Sequence, residues 1–303
     1  DCDDQDPLVH PNGEEIWYDG IDQDCNGSDL SRFVETSRWN SCALDDEGTA
    51  VCWGSNAHEQ LEVPDASFSK IAMGWSHACA LEEDGMIACW GYGSEDDCDI
   101  AYSCGQTEPP SNQYLDIAAG VAHTCGIKTD NSIECWGVNN RMQNLVNNIA
   151  TDVPEGTFMT IYSGESHACA LDTQGEIHCW GSNRYNQLDA PSGSFVQMTS
   201  VRNRNCALDS IGAIHCWGGD EGALYDTGQH SSPTDTDFVY VGAGSFHTCG
   251  LKESGTVECW GAHDGETIDF GQVRDTPINK HFVQLSVAER HNCGVDIQGD
   301  LHC

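Results

Sequence analysis

Two short hydrophobic stretches separated by a polar turn recur seven times along the chain. In the copy that runs from Cys79 to Trp90, apolar residues alternate on both sides of a turn that contains Asp84 and Gly85. Alternation with a period of two on both sides of a short turn is typical of a β-hairpin. A three-residue hairpin loop needs a residue with positive φ, and Gly85 stands at that place. The pattern therefore predicts seven hairpins and an all-β protein.

The turns and the cysteines share one register in every copy. The third copy has Asn131 at the turn, the next best residue at positive φ, and the others have glycine: Gly48, Gly175, Gly212, Gly255 and Gly299. Two cysteines stand ten positions apart, one on each arm. This register places them opposite each other at about 4.5 Å between Cα atoms, within disulfide range. We predict the disulfides Cys42–Cys52, Cys79–Cys89, Cys125–Cys135, Cys169–Cys179, Cys206–Cys216, Cys249–Cys259 and Cys293–Cys303.

Both faces of each hairpin are apolar or small. The first cysteine shares its face with aliphatic residues such as Leu81 and Ile87, and the other face carries Ala80 and Trp90. A sheet with two such faces is expected to lie between two other sheets. A further strand should open at an aromatic residue eleven positions before the first cysteine, at Phe68, Tyr114, Phe158, Phe195, Phe238 and Phe282, with Phe33 nine positions before Cys42.

Seven stacked units of three or four strands predict a seven-bladed β-propeller over residues 31–303. The stretches Gly54–Pro64 and Gly181–Pro191 predict a loop and a short outer strand. The seventh copy ends at Cys303 without the Trp-Gly pair. Its blade should be completed by another segment, keep an open edge or borrow a neighbour's strand, and residues near 28–34 would close the ring.

The composition indicates an oxidising compartment. The chain has 18 cysteines in 303 residues, and Cys2–Cys25 and Cys98–Cys104 complete nine local pairs. Disulfides explain such pairs, and the absence of CxxC argues against zinc. A net charge of −37 excludes nucleic acid and anionic lipid as favoured partners. The sequence has no apolar run of membrane-spanning length and no signal peptide, so we expect a mature, secreted, extracellular or cell-surface protein.

Residues 1–30 form an acidic, loop-rich segment that predicts a metal site. The motif Asp22-x-Asp24-x-Asn26-Gly27 matches the first half of an EF-hand loop, although Phe33 replaces the final glutamate. Hard oxygen ligands favour calcium. The candidate ligands are Asp1, Asp3, Asp4, Asp6, Asp19, Asp22, Asp24 and Asn26. Asp19 could instead support the ligands, His10 and Trp17 keep copper open, and an acidic linker without metal is the remaining interpretation.

Two resemblances add to this picture. The string from Ser166-His167 through Gly181-Ser-Asn to Gln187-Leu188 and Pro191 resembles a repeat of the regulator of chromosome condensation family, which forms seven-bladed propellers. The cysteine pair departs from that pattern and resembles the family's secreted bacterial branch. The exchange-factor and chromatin roles do not carry over to so acidic a surface. Residues 1–29 resemble the MopE-type metal-binding motif through DCDDxDP and DGxDxDCxG.

The preferred function is a non-enzymatic binding or structural propeller with a calcium segment. It could self-assemble head to tail into an extracellular fibre, and the alternative is an inhibitor or receptor module that grips a protein with its rim. A hydrolase or lyase at the central channel is the third hypothesis. Histidines two positions before the first cysteine are expected to be structural, bonded to a backbone group: His77, His123, His167, His247 and His291.

Overall fold

The chain forms seven antiparallel sheets of three strands each, as a computed structural model shows. It describes residues 34–37, 39–45, 47–93, 105–137, 149, 152–219, 228–229, 231–261, 271–273, 275–277, 279–288 and 290–303. No helix occurs in those ranges. In every sheet the strands are hydrogen-bonded in sequence order. The predicted all-β, seven-bladed propeller is therefore confirmed.

Each blade contains an inner, a central and an outer strand. The inner strands are β1 (Val34–Thr36), β4 (Phe68–Met73), β7 (Tyr114–Ala119), β10 (Phe158–Ser163), β13 (Phe195–Val201), β16 (Phe238–Ala243) and β19 (Phe282–Val287). The central strands are β2 (Asn40–Leu44), β5 (His77–Glu82), β8 (His123–Lys128), β11 (His167–Asp172), β14 (Arg204–Asp209), β17 (His247–Lys252) and β20 (Asn292–Asp296). The outer strands are β3 (Ala50–Gly54), β6 (Ile87–Gly91), β9 (Ile133–Gly137), β12 (Ile177–Gly181), β15 (Ile214–Gly218), β18 (Val257–Gly261) and β21 (Leu301–His302).

A disulfide joins the central and outer strands of every blade. In blade two, Cys79 lies opposite Cys89, and their Cα atoms are 4.0 Å apart. All seven blades contain this disulfide, and the two cysteines of each bridge are ten positions apart in the sequence. The described residues include no free cysteine. The pairs Cys2–Cys25 and Cys98–Cys104 lie outside the described residues.

The hairpin turns also connect neighbouring blades. Gly85 has φ +84° and Asn131 has φ +66°, as their place in a three-residue loop requires. The carbonyl of Gly85 accepts the N–H of Tyr114 in the next blade at 2.8 Å, and the carbonyl of Asn131 accepts that of Phe158 at 2.9 Å. A Cβ on Gly48 would lie 2.7 Å from the carbonyl oxygen of Phe68. Turn glycines therefore serve both the hairpin and its contact with the following blade.

The hydrophobic core is divided among the spaces between blades. One cluster combines Leu81 and Ile87 of blade two with Tyr114, Ile117 and Trp136 of blade three. Equivalent clusters lie between other consecutive blades. Since each cluster draws on two sheets, the predicted stacking of sheets on both faces is confirmed. Burial between blades is thus what holds the ring together.

The predicted fourth strand is wrong for the two stretches that suggested it. Residues 55–67 and 182–194 contain no strand. The physical reason is that side chains, not a strand ladder, satisfy this backbone. Gln187 is fully buried and its Oε1 accepts the N–H of Tyr185 at 2.7 Å, while Asn183 Oδ1 accepts that of Leu188 at 2.9 Å. These stretches are connectors that place a buried glutamine beside the next blade.

Blade one and blade seven meet through side chains. Strand β1 pairs with β2 inside blade one, so residue 34 does not complete blade seven; residues 28–33 lie outside the described part. Thr36 Oγ1 lies 2.8 Å from Ser286 Oγ, and Ser41 Oγ lies 3.2 Å from His291 Nε2. In the described ranges, the ring closes by packing rather than by a shared sheet. Those ranges contain no helix of the length and hydropathy that a membrane crossing needs.

Candidate functional site

Charged groups from several inner strands meet at the central channel. Lys70, two positions after the aromatic residue that opens β4, forms an ion pair with Asp116, which holds the same position in β7. Asp116 Oδ2 also accepts the backbone N–H of Ile161 from β10 at 3.0 Å. The Asp116 carboxylate raises the pKa of Lys70 although burial opposes its charge. One carboxylate therefore ties three successive blades together.

Glu35 adds a group that titrates near neutrality. It lies on β1, and burial raises its pKa to about 7, although the charge of Lys70 pulls the pKa down. Burial and the carboxylate of Glu35 together raise the pKa of Tyr240, which lies on β16. Burial likewise raises the pKa of Tyr162 on β10. The channel thus contains one carboxyl group that changes charge at physiological pH, beside tyrosines that stay neutral.

The channel cavity is small. It encloses about 150 Å³ and is lined by Glu35, Tyr240 and the small residues Gly120, Ser163 and Ser245. Sites for small molecules usually occupy about 300–1,000 Å³. Lys70 and Asp116 pair with each other across blades and are not among the residues that line this cavity, so their ion pair stabilises the ring.

The repeated histidines link neighbouring blades. All five stand two positions before the first cysteine, and four of them, all but His123, reach the residue that directly precedes the first cysteine of the next blade. The hydrogen bonds are His77 Nε2 to Thr124 Oγ1 at 2.9 Å, His167 Nε2 to Asn205 Oδ1 at 2.7 Å, His247 Nε2 to Asn292 Oδ1 at 2.6 Å, and His291 Nε2 to Ser41 Oγ at 3.2 Å. The structural role was predicted correctly, but the expected backbone partner is wrong, because a side chain takes its place.

Arg204 occupies the histidine position in blade five. It is 3% exposed and donates to Thr248 Oγ1 at 2.9 Å, to Gln229 O at 3.1 Å and to the carbonyls of Gly244 and His247. Burial lowers the pKa of its guanidinium to about 9. Backbone and hydroxyl oxygens, rather than a carboxylate, therefore compensate this buried charge.

Asp–His pairs on the hairpins of blades four and seven are turn caps. Asp172, Glu176 and His178 lie within metal-ligand reach of one another, as do Asp296, Asp300 and His302. Each aspartate already accepts two turn N–H groups and one histidine; for Asp296 the histidine bond is 2.8 Å and Lys280 adds an ion pair at 2.6 Å. Hydrogen bonds to these partners lower the pKa of Asp296 although burial opposes the shift.

An exposed apolar arc lies on one face of the propeller. It consists of Leu115, Met159, Val196 and Val239, which are 48–58% exposed. Each follows the aromatic residue that opens an inner strand, at a point where the strand register shifts by one residue. Such a bulge redirects a side chain. Sequence reasoning missed this arc; its signal was the aliphatic residue that follows the aromatic in the last five repeats, of which Leu115, Met159, Val196 and Val239 are exposed.

The predicted metal ligands cannot be compared with this geometry. Asp1, Asp3, Asp4, Asp6, Asp19, Asp22, Asp24 and Asn26 all lie outside the described residues. The channel cluster of Glu35, Lys70 and Asp116 was also missed, because only the ring geometry brings together residues from different repeats. Its sequence signal was a charged residue two positions after an aromatic, at Lys70 and Asp116.

Family comparisons agree with the repeat geometry. The model of the regulator of chromosome condensation repeat matches residues 33–60, 68–96, 160–187 and 238–266. Four of the seven blades are therefore similar to regulator of chromosome condensation repeats. A model of the MopE-type metal-binding motif, whose name specifies copper, matches residues 1–29. No curated protein sequence matches the chain.

Solved structures share the fold at low sequence identity. The CRINKLY WD40 ectodomain of the Arabidopsis thaliana receptor kinase ACR4 is 22% identical with a TM-score of 0.66, over 88% of this chain and 91% of that one. The ectodomain of the Physcomitrella patens receptor kinase CR4 is 22% identical with a TM-score of 0.70, over 89% and 71%. Prp20p of Saccharomyces cerevisiae, described with its binding to Gsp1p and histones, is 16% identical with a TM-score of 0.64, over 86% and 81%.

Proposed function

We propose that this protein is a non-enzymatic, protein-binding propeller of an extracellular compartment, with a calcium-binding segment at residues 1–30. The observation that carries the binding role is the apolar arc of Leu115, Met159, Val196 and Val239. Single exposed apolar residues are common, but an ordered series at one position of four neighbouring blades is typical of an interaction surface. Several of the structural neighbours are receptor ectodomains or protein-binding propellers, which supports the same role.

The surroundings of the arc define the partner's charge. Exposed Glu83 and Asp84 belong to the turn whose glycine carbonyl binds the residue before Leu115. Exposed Asp130 and Glu155 flank the start of β10, where Met159 lies. The whole chain has 49 acidic and 12 basic residues. We therefore expect a partner with an apolar centre and a basic rim.

An extracellular location fits the covalent structure. Seven blades contain seven internal disulfides, and each bridge closes a short loop. Reducing compartments do not maintain such bonds, whereas secreted proteins use them widely. Each one is expected to contribute about 2–3 kcal/mol to the free energy of unfolding. The cysteines thus support both the proposed location and the proposed stability.

The channel supports binding better than catalysis. Its cavity is about 150 Å³, below the usual size of a small-molecule site, and the Lys70–Asp116 ion pair of the inner strands is not part of its lining. No serine, cysteine or histidine with an adjacent base faces this cavity among its described lining residues. Glu35 has a raised pKa, but a general acid or base also needs a substrate within hydrogen-bond reach.

A photocrosslinking experiment tests the binding face. A photoreactive residue at Val196 should capture a basic protein from the native extracellular fluid, and the pair M159D with V196D should abolish capture without unfolding, since both sites are exposed. Ile211, which is 69% exposed on a turn of the same blade, is the matched control position. Equal capture from Ile211, or undiminished capture by the double variant, would count against the arc as the binding surface.

Calcium is the metal that the donor set fits. Residues 1–30 contain ten acidic residues and no lysine or arginine. Hard carboxylate oxygens suit calcium, whereas copper prefers imidazole and sulfur, and His10 is the only histidine in the segment. Bound calcium would neutralise the crowded carboxylates.

Titration calorimetry on the full chain tests the metal. We expect calcium binding, at least tenfold weaker in the D22N/D24N variant and unchanged in D65N, where an exposed loop aspartate is altered. Copper binding without calcium binding would refute the assignment.

Head-to-tail assembly of identical chains is the second function that we propose for the apolar arc. A net charge of −37 opposes contact between identical chains, so calcium should promote any fibre by screening and bridging carboxylates. Light scattering should show growth in calcium and reversal by a chelator. Unchanged monomers across the calcium titration would exclude the fibre and leave the hetero-partner as the occupant of the arc.

A further inference from the structure

The cavity of the central channel lies toward the ends of the inner strands. It encloses about 150 Å³, and all seven blades line it, from Glu35 in blade one to Ser286 in blade seven. The apolar arc lies at the start of the same strands, since Leu115 is the second residue of β7 whereas Gly120, which lines the cavity, follows its last residue. The cavity and the apolar arc are therefore at opposite ends of the channel.

Two hydroxyl groups of the lining have no hydrogen-bond partner among the residues that the structure describes. They are the Oγ atoms of Ser163 in blade four and Ser245 in blade six, and both atoms are buried. Other hydroxyls of the lining are paired, as Thr36 Oγ1 is with Ser286 Oγ at 2.8 Å. Buried polar groups are nearly always hydrogen-bonded in proteins. Two unpaired hydroxyls in one cavity lining therefore indicate a ligand that bonds them.

Glu35 supplies a negative charge to the same cavity. Its carboxyl group belongs to the lining, and within the described ranges no side chain or backbone group is hydrogen-bonded to it. The charge of Lys70 acts on it, but that ammonium group already forms an ion pair with Asp116. A carboxylate that is removed from bulk water needs a partner of opposite charge. The cavity therefore favours a cation as its ligand.

The shape and the walls of the cavity favour an organic cation over a metal ion. Met73, Ala243 and Ala288 line it and are buried, so part of the wall is apolar. An apolar cavity of about 150 Å³ accommodates a molecule as large as benzene, and a four-carbon chain with one ammonium group is no larger. An ammonium group has three donors and no acceptor, which matches one carboxylate and two hydroxyls. Calcium takes six to eight oxygen ligands, whereas Glu35 and Glu165 are the two carboxylates of the lining.

We propose that the channel cavity binds a primary alkylammonium group, which donates to the Glu35 carboxylate and to the hydroxyls of Ser163 and Ser245. The methylene stem packs against the apolar part of the wall, as the stems of lysine side chains do elsewhere in proteins. A lysine side chain of another protein and a free alkylamine share this chemistry. The site is independent of both the apolar arc and the calcium segment.

Binding should be coupled to the ionisation of Glu35. Its pKa of about 7 means that about half of the carboxyl groups are protonated at pH 7, and this proton must pass to solvent before the ammonium group can donate. Burial keeps the nearby tyrosines neutral at pH 8, and the Asp116 carboxylate keeps Lys70 charged. We therefore expect the dissociation constant to fall about tenfold from pH 6 to pH 8. The charged and titratable groups around Glu35 are Lys70, Asp116, Tyr162, Tyr240, Glu165 and Arg202.

Ligand-observed NMR titration of the full chain tests the proposal at constant ionic strength. The probe is n-butylammonium. The matched controls are n-butanol, which has the same length without the charge, and tetramethylammonium, which has the charge without N–H donors or a stem. We expect each control to bind at least tenfold more weakly. Equal binding of butanol would indicate a nonspecific apolar cavity, and equal binding of tetramethylammonium would indicate general attraction to an acidic chain, so either result would overturn the proposal.

Substitutions in the lining locate the binding site. E35Q keeps the size of the side chain and removes its charge, so butylammonium should bind at least tenfold more weakly and without dependence on pH between 6 and 8. S245A should weaken binding about threefold and leave the pH dependence in place. E253Q removes the same charge from an exposed turn and should bind as the wild type does. Butylammonium binding that is unchanged in E35Q would place the amine elsewhere and refute the site.

A capped lysine distinguishes the two sources of the amine. N-acetyl-lysine methylamide that binds at least as tightly as butylammonium would identify a lysine side chain of a partner protein as the ligand. Butylammonium binding together with a capped lysine that binds at least tenfold more weakly would identify a free alkylamine instead. Both results support the amine site, and failure of both amines to bind refutes it.

Discussion

The junction between blades three and four differs from the junction between blades four and five by one hydrogen bond. At the second junction, His167 Nε2 donates to Asn205 Oδ1 at 2.7 Å. At the first, His123 holds the equivalent position, but the facing residue is Ala168, and His123 Nε2 has no hydrogen-bond partner. Both histidines are at most 4% exposed. The Nε2 atom is thus hydrogen-bonded at one junction and without a partner at the other, whereas Nδ1 of His167 is also buried without a partner.

The difference shows that a polar junction needs two residues from different repeats. The donor precedes the first cysteine by two positions in one blade, and the acceptor precedes it by one position in the next. Five junctions have both partners. The other two junctions have Ala78 and Ala168 at the acceptor position. At the junction with Ala78, the donor position is held by Asn40, whose Oδ1 accepts the hydroxyl of Ser37 at 2.6 Å. An unsatisfied buried group costs about 1–3 kcal/mol, so the two kinds of junction should differ in stability.

Acidification should destabilise both kinds of junction, and we expect it to lower the free energy of unfolding more than any single substitution described below. Burial lowers the pKa of His77, His167 and His247 to about 4 and that of His123 to about 3. Because the unfolded histidine titrates near 6.5, the unfolded state binds more protons below that pH. Their stabilising contribution is complete above pH 6.5 and is lost as the pH falls toward 4. As the pH falls from 7 to 5, each of these histidines should lower the free energy of unfolding by about 2 kcal/mol.

Glu35 acts in the opposite direction. Because its pKa is raised to about 7, its stabilising contribution is complete below pH 4.5 and is lost as the pH rises through 7. Glu35 should therefore add about 2 kcal/mol to the free energy of unfolding at pH 5 relative to pH 7. We therefore expect a net fall of about 5 kcal/mol in the free energy of unfolding, measured by denaturant with the disulfides intact. NMR titration should show His167 protonating before His123. A stability that is flat or rises between pH 7 and pH 5 would contradict the buried neutral histidines.

Local features of the fold were predictable from the sequence, whereas the junction partners were not. The hairpin register, the positive φ of Gly85 and the pairing of Cys79 with Cys89 depend on residues within one repeat. The bond from His77 to Thr124 spans 47 positions, and the nearest analogue, His123, has no such bond. Choosing a partner required the angle and offset between blades. The prediction of a short outer strand in these connectors was wrong for a related reason. A buried side chain such as Gln187 can take the place of the backbone hydrogen bonds that a neighbouring strand would supply.

Removing the acceptor at the polar junction should produce an intermediate effect. N205A leaves the His167 N–H without its acceptor and removes the amide donor to Gln187 O. We expect a loss of about 2 kcal/mol in the free energy of unfolding at pH 7.5. N205T should retain much of that stability, since threonine serves this position in blades three and six. N112A, which alters an exposed asparagine, is the surface control. An N205A protein as stable as the wild type would show that the junction bond contributes nothing.

Supplying the acceptor at the apolar junction should produce the smallest effect, with the opposite sign. In A168T the hydroxyl can accept the N–H of His123 and donate to the carbonyl of Ile149, which already receives Trp180 at 2.8 Å, as Thr124 and Thr248 donate to the carbonyls of Gln106 and Gln229. We expect a gain of about 1 kcal/mol in the free energy of unfolding. A168V has the same shape without the hydroxyl and is the matched control. If A168V stabilises the protein as much as A168T, filled volume rather than a hydrogen bond separates the two junctions. If only A168T stabilises the protein, the ring N–H of His123 should also exchange more slowly with solvent, because the new hydrogen bond would then be the cause of the added stability.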